Sequence, residues 1–229
     1  MDEERDADPL TAFISRSLRA EVTGVREEIV RETAEVELSR VTFTLDGTRR
    51  SLVMKRVPKD RSLEVTLLPH LARKTDRVPA VYARGIPPAA AAGWPWLLLE
   101  DLLDTAAAED LDAIVDAKVL VERAVTTDGP ALVALGVPRL ERAGALAEWP
   151  EVIVHGALAR ATARRTDRGV VLVEWGHASL GPGLTDIVRL AREAGVPPRA
   201  LAERYAAAVG RSLGDGVLEA AEALPTAVD

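Results

Sequence analysis

The chain has no cysteine. That excludes a disulfide framework and any thiolate metal centre. Aromatic residues make up only 3% of the 229 residues, too few for the stacking platforms that hold single-stranded nucleic acid. Positive charge is in deficit: 29 Lys and Arg stand against 36 Asp and Glu, a net charge of −7. A field of that sign repels nucleic acid and anionic membrane while favouring solubility. Neither is expected as a partner. No apolar run approaches the roughly 18 residues of a membrane helix. The longest, residues 89–99, is broken by Gly93 and Pro95. The first eight residues are mostly acidic, unlike a basic secretion leader. A cytoplasmic protein with a frayed tail over residues 1–8 is therefore expected.

What is present is ordinary core material. Hydrophobic residues reach 48%, and the length suffices for one large domain or two small lobes. Residues 9–19 read as an amphipathic helix with Leu10, Phe13, Ile14 and Leu18 on one face. Residues 36–45 alternate as a strand with a break near Arg40, Asp46-Gly47 signals a turn, and residues 51–57 return as a second strand. Residues 60–74 form a helix interrupted by Pro69. Strands follow at 78–84 and 96–99, separated by a loop over residues 85–93. Helices are then expected at 106–125, 129–147 (interrupted by Gly136 and Pro138), 185–194, 198–209 and 216–224. Short strands at 151–154 and 170–175 bracket a basic stretch as one small hairpin. The class is α+β: a sheet-rich part over residues 9–101 and a mainly helical part over 102–229.

Three segments carry a resemblance. Val154-His155-Gly156-Ala157-Leu158 runs on to a strand ending in Glu174-Trp175, then Gly181 and a helix with Asp186 near its start. Trp96-Leu97-Leu98-Leu99 closes on Glu100-Asp101. Val53-Met54-Lys55 precedes a helix bearing Glu64. Their order and spacing over residues 27–209 resemble the aminoglycoside phosphotransferases, relatives of the protein kinases. The resemblance implies a two-lobed fold, with a small antiparallel-sheet N-lobe and a mainly helical, shortened C-lobe. It also implies ATP and Mg as cofactors. Lys55 would meet the phosphates and Glu64 would hold Lys55. The hinge backbone at Glu100 and Leu102 would pair with adenine. His155, Gly156, Trp175 and Asp186 would shape the catalytic loop.

Phosphoryl transfer asks a protein mainly for positioning and charge neutralisation. Against that need the sequence departs from the family. The catalytic aspartate position holds Ala157, whose methyl group accepts no proton. The two metal positions hold Thr162 in place of asparagine and Glu174 in place of aspartate. The stretch Arg31-Glu32-Thr33-Ala34-Glu35, between the first two strands, has no glycine and two carboxylates. Lys55 reads equally well as a solvated edge-strand lysine, and Glu64 reads better as a solvated helix glutamate. Arg160, Arg164, Arg165 and Arg168 suit either an anion or a solvated hairpin. His70 and His177 have no ligand-spaced partners and are given no metal. The sequence thus points to a catalytically impaired pseudokinase that binds a small molecule or a protein partner. The alternative is an active small-molecule kinase with an unusual site, using Lys55, Glu174 and Asp167; Asp101 and Asp104, after the hinge, are further candidates for a rearranged site. A third reading is a purely structural subunit.

Overall fold

The computed structural model describes residues 8–87, 93–140, 142 and 144–224. The acidic tail up to residue 7 and the middle of the 85–93 loop lie outside them. In chain order the elements begin α1 (Pro9–Leu18), β1 (Thr23–Glu32), β2 (Glu37–Leu45), β3 (Thr48–Arg56), α2 (Leu63–Ala72), β4 (Val81–Gly85) and β5 (Trp96–Glu100). They continue with α3 (Leu111–Ala124), α4 (Gly129–Ala134), β6 (Glu151–Val154), β7 (Ala163–Thr166), β8 (Gly169–Leu172) and β9 (Ser179–Pro182), then α5 (Leu184–Ala194), α6 (Pro198–Ala208) and α7 (Val217–Ala223).

The chain divides into two compact units: residues 1–61 with 80–103, and residues 62–79 with 104–229. The segment carrying α2 therefore belongs to the second unit, although its sequence position places it in the sheet-rich part.

The first unit is one antiparallel sheet in the order β1-β2-β3-β5-β4. The β2–β3 turn forms as expected. Asp46 and Gly47 both have positive φ, 49° and 73°, the requirement of a two-residue hairpin whose twist matches its strands. Alternation puts Val41, Phe43, Leu52, Met54 and Leu98 on one face, where they bury Ile14 of α1. Phe13 of α1 meets Trp96 edge to face at 5.0 Å. Strand β1 carries no inward alternation: nine of its ten residues are exposed, because it is the sheet edge.

The second unit is mainly helical. Of the expected 60–74 helix, Lys59–Arg61 is a 3-10 turn that belongs to the first unit, while α2 belongs to the second and continues through Pro69. The 106–125 helix starts only at Leu111, where the Asp110 carboxylate accepts from the amides of Asp112 and Ala113. Helix α4 ends before Gly136, which has φ 93°, and Pro138 follows. The two short strands expected to pair with each other do not. Strand β6 pairs with β9, and the basic hairpin is β7–β8. Strand β9 lacked a readable pattern because all four of its residues are buried.

Candidate functional site

The loop after β6 is held from below by one carboxylate. Asp186, in the first turn of α5, accepts from the His155 amide at 2.6 Å and the Gly156 amide at 2.9 Å. It is 1% exposed. Gly156 must be glycine twice over: its φ is 79°, and a Cβ there would lie 2.1 Å from the His177 carbonyl oxygen. Its own carbonyl accepts from Arg189 at 2.9 Å. His155 is fully buried. Its Nε2 lies 2.8 Å from the Val173 carbonyl and its Nδ1 accepts from the Ala157 amide at 3.3 Å. Those partners fix the neutral Nε2–H tautomer. Burial drives its pKa down to about 4. Trp175 packs on this ring at 4.6 Å and donates its indole N–H to Leu172. The four residues assigned to shaping the loop thus meet around it.

The reacting positions look different. Ala157 stands inside this ordered loop with nothing to accept a proton. The Thr162 hydroxyl is spent on the loop itself: it accepts from the Ala159 amide at 3.0 Å and lies 3.0 and 3.1 Å from the Ala157 and Ala159 carbonyls. Its one proton serves these two carbonyls and one lone pair takes the Ala159 amide, and the residue is 6% exposed. Thr162 thus closes the loop on itself. Glu174 is exposed and sits at φ 68°, ψ 58°. A non-glycine residue in that region is strained by about 1–2 kcal/mol. Its neighbours impose the conformation: the Val173 amide donates to Thr162, and the Trp175 amide donates to the Glu64 carboxylate at 3.2 Å. Glu174→Gly is therefore expected to stabilise the fold by about 0.5–1 kcal/mol in urea unfolding. A loss larger than about 1 kcal/mol would show that the carboxylate makes a contact the fold needs.

Among the described residues no group of three or more His, Asp or Glu gathers to hold a metal. Ala157 offers no ligand atom in its side chain, and the Thr162 hydroxyl is turned back on its own loop.

Glu64 is not a solvated helix residue. It is 3% exposed on α2 and holds the backbone of Trp175. In the first unit, Lys55 is half-buried in β3 between Leu38 and Leu97. It is therefore not an edge-strand lysine. Val53 shares its face, two residues back, and Val53 pairs with Arg40 on one side and Leu99 on the other. On that face Arg40 forks onto Asp101: Nε lies 2.8 Å from Oδ2, and Nη2 donates to Oδ1 at 3.3 Å. Burial opposes the Asp101 charge. Hydrogen bonds from Ser51, the Leu103 amide and Arg40 outweigh it and hold the carboxyl below its ordinary range. An ion pair therefore stands on the face that Lys55 shares. At the hinge, Glu100 exchanges hydrogen bonds with Ala80 through its amide and its carboxylate, and Leu102 is half-buried. The β1–β2 connection is a tight turn in which the Thr33 hydroxyl accepts from the Glu35 and Val36 amides. Those amides are not offered to a phosphate, and Glu35 pairs with Arg61.

The basic hairpin is largely pinned to backbone. Arg164 donates to the Ala161 carbonyl at 2.8 Å and Arg168 to the Asp76 carbonyl at 2.9 Å. Arg160 and Arg165 are exposed, as is Asp167. His70 lies 2.8 Å from the Asp128 carboxylate.

Sequence reasoning missed the deepest charges. Lys118 of α3 is fully buried. It contacts Glu122, the Ile153 carbonyl at 2.8 Å and Asp186 at 3.3 Å. The Tyr205 hydroxyl donates to Glu122 at 3.0 Å. Burial works against the Lys118 ammonium, yet two carboxylates outweigh it and raise its pKa. Burial raises Glu122 against the pull of Lys118 and the Tyr205 hydroxyl, and the Asp186 charge adds to the rise. The signal was available: Lys118 and Glu122, four apart, stand in phase with Ile114, Val115 and Val121 on an apolar stripe.

The sequence matches no family model and no curated protein. The fold has many counterparts among solved structures. A protein of Ralstonia eutropha JMP134 described as an aminoglycoside phosphotransferase aligns over 90% of this chain and 80% of its own, with a TM-score of 0.60 and 15% identity. The amicoumacin kinase hAmiN, solved with AMP-PNP, Ca2+ and Ami, aligns over 91% and 79%, with a TM-score of 0.59 and 9% identity. A protein of Haemophilus somnus 129PT described as a fructosamine-3-kinase aligns over 93% and 85%, with a TM-score of 0.54 and 14% identity. This chain has the fold of the aminoglycoside phosphotransferases and related small-molecule kinases.

Proposed function

We propose that the chain is a pseudokinase: a domain that keeps the kinase scaffold without ordinary phosphoryl transfer and acts by binding a small molecule or a protein partner in the cytoplasm. The observation that carries this reading is Ala157. It occupies the base position of a loop whose supports, His155, Gly156 and Asp186, are all engaged. A general base is worth about 10²–10⁴ in rate, and a methyl group supplies none of it. The Arg40–Asp101 pair, the Thr162 hydroxyl turned back on its own loop and the closed β1–β2 turn support the same reading for the nucleotide and its metal. One observation favours the alternative of an active kinase: the strained, exposed backbone at Glu174, the kind of outlier that functional sites retain.

Thermal unfolding with ATP, with and without magnesium, separates the two. A ligand at 100 times its dissociation constant adds about 2.7 kcal/mol. In a chain of this length that raises the midpoint by roughly 5–10 °C. No magnesium-dependent rise is expected. A rise of that size that needs magnesium and disappears in Glu174→Ala would overturn the pseudokinase reading.

A further inference from the structure

Behind the loop, within the second unit, a cleft opens to solvent between β6, β9, α5 and α7. Val154 and Ser179 face each other in the β6–β9 ladder and both line it. Helix α5 presents Thr185, Val188, Arg189 and Arg192 to it, the spacing of one helix face. Two polar atoms on its wall lack hydrogen-bond partners although buried from solvent: Ser179 Oγ, on a residue 1% exposed, and Arg189 Nε. Buried donors are almost always satisfied in folded proteins, so each calls for a partner, a water or an ion, that the protein itself does not supply. Arg192 is exposed at the mouth, and Glu222 is the carboxylate on the opposite wall. Asp186 also lines the cleft, but its oxygens are held by the His155 and Gly156 amides and face Lys118.

We infer that this cleft is a binding site for a small oxyanion, a phosphate or a carboxylate, held by Arg189 Nε, Ser179 Oγ and Arg192. The donor set decides the class. A guanidinium presents its N–H groups as a planar fork that matches two oxygens of such an anion, and a serine hydroxyl adds a third donor. Two cationic side chains outnumber the one free carboxylate on the walls. The same Arg189 donates through Nη1 to the Gly156 carbonyl, so an occupant would sit one guanidinium from the loop. The inference stands on this cleft alone and does not depend on whether phosphoryl transfer survives.

The test is thermal unfolding and isothermal calorimetry of the full chain with inorganic phosphate in one arm and succinate in the other. Ionic strength is held constant with potassium chloride. A saturable rise in midpoint with at least one anion, above the chloride control, is the expected result. Which arm responds identifies the source as phosphate or carboxylate. Arg192→Gln and Ser179→Ala, neither of which removes a side-chain hydrogen bond or ion pair among the described residues, should each weaken that binding by about tenfold. Absence of saturation in both arms overturns the site, and so does undiminished binding in both variants.

Discussion

Lys118→Met should cost about 3–5 kcal/mol of stability, the ordinary penalty for leaving a buried charge without its partner. Methionine matches lysine in length and fills the same space, so packing changes little. What changes is electrical. The ammonium has three N–H donors and three acceptors: Glu122, Asp186 and the Ile153 carbonyl. Removing it strands two carboxylates in a site where Glu122 is 3% and Asp186 1% exposed. Asp186 also carries the His155 and Gly156 amides, so the loop after β6 should loosen together with the core. Adding Glu122→Gln should recover about 1–3 kcal/mol of the loss. It removes one stranded charge and keeps a carbonyl oxygen for the Tyr205 hydroxyl. Urea unfolding of the single and double variants measures both numbers. A single-variant loss under about 1 kcal/mol would mean that the cluster is effectively solvated.

How far such features were readable depended on where their determinants lie in the chain. The β2–β3 hairpin was legible because Asp46-Gly47 and the alternation around it are local. Helix α5 was legible because Leu184, Ile187, Val188 and Ala191 repeat at helical spacing. Strand β1 was not named because an edge exposed on both faces imposes no alternation. Strand β9 was invisible, and its absence misassigned the partner of β6. At the site, His155, Gly156 and Asp186 were singled out from their order, and the structure brings them together although about thirty residues separate the loop from the carboxylate. Glu64 was misjudged because nothing in its neighbourhood announces the Trp175 amide, 111 positions away. Thr162 was assigned from its place in the order, which does not show that its hydroxyl folds back on Ala157 and Ala159. The Arg40–Asp101 pair joins residues 61 apart, and only the strand register brings them onto the face of Lys55.

The buried imidazole predicts a pH dependence with a definite sign. His155 titrates near 4 in the folded protein against an ordinary 6.5. Between those values the unfolded chain binds a proton that the folded chain refuses. Stability therefore rises with pH through this window and is lost as pH falls from 6.5 toward 4. At 1.36 kcal/mol per pKa unit the loss reaches about 3 kcal/mol by pH 4. The structural cause is specific. A second proton would go on Nδ1, which now accepts from the Ala157 amide, and would set two donors against each other. Glu122 works in the opposite direction. Its raised pKa favours the folded state at low pH and gives up that contribution as pH rises through the folded value. The measurement must therefore be a difference. Urea unfolding from pH 7.5 to 4.5 in the wild type and in His155→Gln should show a steeper fall in the wild type below pH 6.5. The variant retains donors toward Val173 and has nothing to titrate. Parallel profiles would mean that the imidazole takes up its proton in the folded state, and that the loop after β6 opens to admit it.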